Sequence, residues 1–316
     1  ADLPVPEPWT TEQCDAPPEH DAEAVLLDDV ALDAYLVDLL RWGVTRLVGA
    51  PTDPTFLVRL AGRLGPIRTT NFGSVWDVRA EVDLDGDPER NSTANSRRRL
   101  PPHTDLPSRE TPPGFQFLHC IENSVTGGWS TMTDGAAVVR RLAEVDPDGL
   151  ELLSSRRWIF INRGRGIDHR WSAPLVDHGA DGSLMLRAFH PVRACPDMPA
   201  ADVPGAYAAL ARLHRIAEDA EFRLRFPFRP GDVVCLDNRR ILHGRDAYES
   251  SGQRHLRGCY LDADDIRSTA RLMARRRADR STGRRADTND PTSRTDPDPT
   301  SHEEHRCPTA SSSPAQ

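Results

Sequence analysis

Apolar and polar positions follow two different periods along this chain, and the change of period marks out its elements. Leu32, Tyr35, Leu36, Leu39 and Leu40 recur at helical spacing and stop before Gly43, which predicts an amphipathic helix with a glycine terminator. Val44 to Val48 then reads as a strand. A second helix is expected over Thr55 to Arg63, and a longer one over Val203 to Glu221, where Tyr207, Leu210, Leu213 and Ala217 share a face. Elsewhere the runs shorten. Gly114 to Ile121, Arg157 to Asn162, Ser183 to Phe189, Asp232 to Leu236 and Leu256 to Leu261 are strand-length segments bounded by glycine and proline. Few helices beside many short strands predict an α+β, mainly β fold: a double-sheet jelly roll with flanking helices.

The two ends have a different composition. Residues 1–22 are rich in proline and acids and read as a flexible N-terminal arm. From Asp279 the chain is mostly Arg, Asp, Thr, Ser and Pro, which cannot bury enough apolar surface to offset its ordering entropy, so residues 279–316 read as a disordered tail. One domain, residues 23–278, remains between them.

Charge and cysteine usage narrow the function classes. All 40 basic residues are arginines, interleaved with 48 acids to a net charge of −8, a pattern that speaks against nucleic-acid binding. No apolar stretch approaches the roughly 18 residues of a membrane span, and the N-terminus lacks a basic stretch followed by an apolar run. The six cysteines are widely spaced with no CxxC pair, which fits a reducing cytoplasm.

His103-Thr104-Asp105 is the first candidate for chemistry. It lies in a stiff segment between Leu100-Pro101-Pro102 and Leu106-Pro107, where alternation on an extended backbone puts His103 and Asp105 on the same side. An imidazole and a carboxylate so placed need one more imidazole to form the facial triad that leaves iron(II) positions open. His243 qualifies, because it follows the turn and buried run from Pro230 to Asn238, and Gly244 beside it permits close backbone approach. A co-substrate with a free carboxylate needs a buried cation, and arginine suits it through its planar fork. If the run from Arg254 to Tyr260 is a strand, Arg254, Leu256, Gly258 and Tyr260 face one way and Arg257 the other, although either arginine could be an ordinary surface charge.

Several blocks together resemble the gamma-butyrobetaine and trimethyllysine hydroxylase family, within the wider taurine dioxygenase group. They are Asn71 to Val78, Pro102 to Leu106, Leu118 to Asn123, Gly127-Gly128-Trp129-Ser130, Asp134-Gly135, Asp237 to Arg245 and Arg254 to Tyr260, in family order across nearly all of residues 30–273. The resemblance implies a double-stranded beta-helix core in which His103, Asp105 and His243 hold Fe(II), and 2-oxoglutarate chelates the metal. Arg254 would bind its distal carboxylate, with Ser130 as a second contact. Phe72, Trp76 and Tyr260 occupy positions that in the resembling enzymes surround a trimethylammonium group, a contact worth about 0.5–2 kcal/mol.

The resemblance further implies O2 as co-substrate, a small-molecule zwitterion as substrate, and a homodimer. Four departures bear on the substrate: Trp129 stands where an acid is usual, Phe189-His190 replaces an asparagine pair, Leu84 to Arg90 reads as extra loop, and Asn95 replaces an aromatic. No cysteine and histidine cluster matches the zinc-binding N-terminal domain of many gamma-butyrobetaine hydroxylases. The same chemistry on an amino acid, an aminophosphonate or a natural-product intermediate is the alternative, with hydroxylation, desaturation or cyclisation as outcome. A metal-binding jelly-roll sensor without turnover is the non-enzyme alternative. Arg254 distinguishes these two, since such a sensor needs no buried cation near the metal.

Overall fold

A computed structural model describes residues 3–79, 95–164, 166–179, 181–188, 193–249 and 252–281. Side-chain caps start the first helices: Asp21 closes strand β1 (Glu19–Asp21) and caps α1 (Ala22–Leu27), and Asp28 caps α2 (Asp29–Trp42). Gly43, with φ of 73°, ends α2 in the left-handed conformation that only glycine adopts cheaply. Strand β2 (Val44–Val48) and helix α3 (Phe56–Leu64) follow, so the first third matches its hydrophobic periodicity.

The strands then come in quick succession: β3 (Val75–Arg79), β4 (Leu100–His103), β5 (Phe115–Asn123) and β6 (Ser130–Asp134). Helices α4 (Gly135–Val145) and α5 (Pro147–Ser155) lead into β7 (Arg157–Gly164), β8 (Ile167–Pro174), β9 (Val176–His178), β10 (Leu184–Leu186) and β11 (Ala194–Asp197). Helix α6 (Val203–Glu218), strands β12 (Arg223–Phe226), β13 (Val233–Asp237), β14 (Ile241–Arg245) and β15 (Arg254–Leu261), and helix α7 (Ala263–Ser281) complete the chain.

Two sheets make the jelly-roll core: six strands in the order β1-β2-β13-β5-β15-β3, and four in the order β12-β6-β14-β4. Strand β13 is buried on both faces, which is why it reads as the unbroken apolar run Val233-Val234-Cys235-Leu236. Cys235 and Val233 pack with α1, α2, α3 and α7 on one side, while Val234 and Leu236 join Met132, Phe226, Ile241 and Leu256 on the other. A third cluster sits where α4, α5 and α6 meet β7 through Leu142, Leu153, Trp158, Phe160 and Leu213. Among the described residues no helix is long and apolar enough to cross a membrane.

The structure differs from the sequence expectation at both ends. Residues 3–22 are packed rather than a loose arm: Trp9 is fully buried, its backbone N–H donates to Asp134 Oδ2 at 2.9 Å and its indole N–H donates to the Trp42 carbonyl at 2.7 Å. One indole supplies enough apolar area to anchor a proline-rich segment that composition alone marks as free. At the other end α7 continues through Asp279 to Ser281, past the expected start of the tail, because Ile266, Ala270, Met273 and Ala274 form a buried stripe. Residues 282–316 lie outside the described residues.

Asp134 joins the arm to both sheets. It takes the Arg240 guanidinium at 2.7 Å and caps α4 through Ala136 N–H at 2.9 Å, while Arg240 also donates to the Arg41 and Glu7 carbonyls. Removing one partner of a buried pair strands the other charge. Asp134→Ala should therefore cost about 3 kcal/mol. Chemical denaturation of wild type and variant checks this, and an unchanged midpoint would contradict it.

Candidate active site

Strands β4 and β14 pair antiparallel with His103 opposite His243, and their ring centroids lie 4.3 Å apart. Gly244 makes this approach possible, since a Cβ there would fall 2.7 Å from both the Leu100 carbonyl and Thr131 Oγ1. Beyond β4 the chain turns sharply. Leu106 carries a φ of 53°, a left-handed conformation unusual for leucine, and Asp105 just before it swings to face the two histidines.

Asp105 is held from several sides. Its N–H donates to Asn238 Oδ1 at 2.7 Å, and Asn238 Nδ2 donates back to the Asp105 carbonyl at 3.0 Å. Its Oδ2 accepts from Gln116 Nε2 and from the Tyr260 hydroxyl, each at 2.7 Å. Arg187, 1% exposed, donates to the Pro107, Arg109 and Glu110 carbonyls at 2.6–2.8 Å and fixes the loop that follows.

The donor atoms that remain converge. His103 Nε2 lies 3.6 Å from Asp105 Oδ1, His243 Nε2 lies 3.7 Å from Asp105 Oδ2, and one donor atom from each residue falls within 4.8 Å of the others. The two His–Asp separations exceed hydrogen-bond length. His103 Nδ1 sits 2.8 Å from the Pro101 carbonyl, which can only accept, so Nδ1 carries the proton and Nε2 presents its lone pair. This set of two imidazoles and one carboxylate fits iron(II).

Electrostatics prepare the same donors. Burial, helped by neighbouring His103, pushes His243 down to about 4, so its imidazole is neutral at physiological pH. Burial acts upward on Asp105 and is the largest single influence, yet His243, His103 and the Tyr260 hydroxyl together hold the carboxyl below its ordinary range. Burial also pushes His119 on β5 down to about 4. Both histidines bind protons more readily unfolded than folded. The metal-free protein should therefore lose stability as pH falls from 6.5 towards 4. Melting temperature against pH checks this, and a flat profile across that window would contradict it.

The triad opens onto a cavity of about 250 Å³. From the large sheet come Trp76, Arg254, Leu256 and Tyr260; from the small sheet Ser130, Met132, His243 and Arg245; Phe72, Asn95, Asn162 and Arg193 are also among its lining residues. The candidate ligand, co-substrate and substrate residues His103, Asp105, His243, Arg254, Ser130, Phe72, Trp76, Asn95 and Tyr260 thus line one space, and Arg257 faces away towards Asp77 at 3.5 Å. Arg254 is 5% exposed, lies 5.7 Å from the Tyr248 ring centroid, and has no hydrogen bond or carboxylate partner among the described residues. Burial lowers its pKa, yet an arginine stays charged.

Trp76 packs on Tyr260 with ring centroids 5.4 Å apart. It can do so only because residue 258 is glycine, where a Cβ would fall 2.3 Å from the indole. Gly258→Ala should displace the indole and cost about 1–3 kcal/mol. The near-ultraviolet circular dichroism and melting temperature of the variant check this.

Sequence reasoning missed several residues. Gln116 could have been found as the one polar residue within Phe115-Gln116-Phe117-Leu118, whereas Arg187 and Arg193 carry no pattern that marks them. Trp129, where an acid was expected, is partly exposed under Arg225 at 4.4 Å. Phe189-His190 and Leu84 to Arg90 lie outside the described residues.

The chain is similar to several known proteins. The chain is 38% identical over 260 residues to the gamma-butyrobetaine dioxygenase of Pseudomonas sp. (strain AK-1), covering 82% of this chain and 66% of that protein. It is 32% identical over 268 residues to the human gamma-butyrobetaine dioxygenase, covering 82% and 67%. The chain thus spans about two thirds of the length of these curated relatives. Among solved structures, the PvcB protein from Pseudomonas aeruginosa matches with a TM-score of 0.58 at 24% identity, covering 82% of this chain and 91% of that one, which supports the shared fold. The taurine catabolism dioxygenase TauD, TfdA family matches residues 4–260, and the chain belongs to that family.

Proposed function

We propose that this protein is an Fe(II)/2-oxoglutarate-dependent dioxygenase that hydroxylates an unactivated carbon of a small zwitterion resembling gamma-butyrobetaine. The observation that carries the reading is Arg254: a buried guanidinium with no anion of its own among the described residues opens onto the same cavity as His103, Asp105 and His243. A cation so placed calls for a carboxylate.

His103, Asp105 and His243 would hold the iron, and Arg254 with Ser130 the distal carboxylate of 2-oxoglutarate. Bound iron(II) supplies, with dioxygen, the oxidative decarboxylation of 2-oxoglutarate to succinate and CO2 and the transfer of one oxygen atom to a C–H bond. The protein's own residues position the reactants. Gln116 and Tyr260 fix the Asp105 carboxylate, the Pro101 carbonyl sets the His103 tautomer, and Leu256, Met132 and Trp76 line the cavity with apolar surface that limits water.

Phe72, Trp76 and Tyr260 offer ring faces to a cationic headgroup. Asn95 adds an amide to the same cavity, which suits a headgroup that carries an N–H. The five cysteines among the described residues are all unpaired, in keeping with a reducing cytoplasm as the site of action. Homodimerisation, implied by the resemblance, belongs to the same reading, and sedimentation mass checks it.

The test is anaerobic titration of the iron-loaded protein with 2-oxoglutarate, followed by gamma-butyrobetaine. The expected result is a charge-transfer absorption on adding 2-oxoglutarate that shifts when the betaine enters. No absorption change with 2-oxoglutarate would contradict the proposed activity.

A further inference from the structure

We infer that Arg193 reads the anionic end of the substrate, a carboxylate carried at the far end of the molecule from its cationic headgroup. The inference rests on the oxygenase reading above and adds to it a specificity-determining residue. Arg193 directly precedes β11, whose Ala194 pairs with Phe160 of β7, so continuing the antiparallel register sets Arg193 across from Ile161 and beside Asn162. All three residues line the cavity that holds the triad.

Most of the buried and half-buried guanidiniums already have acceptors within the protein. Arg46 pairs with Asp232 at 2.7 Å and Arg240 with Asp134 at 2.7 Å. Arg187 donates to three backbone carbonyls, Arg239 to the Pro112 carbonyl, and Arg245 to the Ser96 and Arg98 carbonyls. Two cavity arginines, Arg254 and Arg193, have no hydrogen bond or ion pair among the described residues. If 2-oxoglutarate takes Arg254, Arg193 is left as a cavity guanidinium with no acceptor among the described residues. Burial lowers the Arg193 pKa and Asp105 offsets this, but the Asp105 carboxylate already accepts from Gln116 and Tyr260 and belongs to the candidate ligand set. Among the described residues no carboxylate is left to pair with Arg193, which suits it to an anion carried by the substrate.

The surroundings of Arg193 fit that ligand. Trp158, Phe160 and Asn162 share the inward face of β7, and the face changes from aromatic to amide where it leaves the core and meets the cavity. Both Asn162 and Arg193 line the cavity, and an amide and a guanidinium can each donate to a carboxylate. The aromatic residues Phe72, Trp76 and Tyr260, which lie on other elements, line the same cavity, so it holds groups suited to both ends of a zwitterion.

The experiment compares gamma-butyrobetaine with its primary amide, which keeps the trimethylammonium group and chain length but has no anion. Affinities of both are measured by calorimetry on the anaerobic iron and 2-oxoglutarate complex of wild type, Arg193→Met and Arg193→Lys. Wild type should prefer the acid by roughly 10- to 100-fold. Arg193→Met should bring that ratio near one by weakening the acid alone, and Arg193→Lys, which keeps the charge but not the fork, should fall between. The inference is overturned if Arg193→Met weakens acid and amide equally, if the ratio is unchanged, or if wild type binds both alike. The 2-oxoglutarate affinity of the same proteins separates the two levels. Intact 2-oxoglutarate binding with an unchanged ratio removes the role of Arg193 alone, whereas absent 2-oxoglutarate binding removes the activity on which it rests.

Discussion

Asp105→Ala, His103→Ala and His243→Ala are each expected to leave a folded protein that has lost iron affinity and turnover by more than the roughly 10- to 100-fold typical of groups that merely support a ligand. Three protein donors are the minimum that this site offers, and a metal left with two of them is held far more weakly. Folding should survive, because the core clusters that hold the two sheets contain none of the three residues. Asp105→Ala carries an added consequence, since Gln116 Nε2 and the Tyr260 hydroxyl lose their common acceptor. Turnover at limiting iron, with circular dichroism to verify the fold, checks all three variants. Wild-type activity in any one of them would remove that residue from the ligand set.

The second large effect is expected at Arg254. Removing the charge would leave the distal carboxylate of 2-oxoglutarate buried without a partner, a loss of about 2–5 kcal/mol, or roughly 30- to several-thousand-fold in the 2-oxoglutarate requirement. Iron affinity should be nearly intact in Arg254→Leu, because the guanidinium takes no part in the triad. Arg257→Leu is the control on the same strand: its side chain points the other way, to Asp77 at 3.5 Å, and its loss should change the 2-oxoglutarate requirement little. If Arg257→Leu were the more damaging variant, the assignment of the two arginines would be reversed.

How much of this was legible in the sequence depended on the strength of the periodic signal. Helix α2 has large leucines at helical spacing and a glycine stop, and α3 and α6 are nearly as clear. Helix α7 was not read, because its buried stripe relies on Ala263, Ala270 and Ala274, whose small side chains hardly rise above an arginine-rich background. Strand β4 contains Pro101 and Pro102, residues that argue against a strand; it survives because it lies at the edge of the four-stranded sheet, where a missing N–H costs little.

The site divides in the same way. His103, Asp105, His243 and Arg254 were recognisable because their spacing and flanking residues restrict what they can be. Their supports were not, since Gln116, Asn238 and Tyr260 meet Asp105 only through tertiary contacts between strands and turns remote in sequence. Tyr260 shows the limit most clearly. Its ring reaches the cavity as the resemblance implied, but its hydroxyl is committed to Asp105, so the residue joins the cavity wall to the triad.

Succinate formation from 2-oxoglutarate tests the central claim most directly. The iron-loaded protein, supplied with dioxygen and 2-oxoglutarate, is predicted to release succinate slowly alone and much faster with gamma-butyrobetaine or a close zwitterionic analogue, in step with formation of a hydroxylated product. No succinate above the level of the His243→Ala variant, across a panel of betaines and amino acids, would contradict the account.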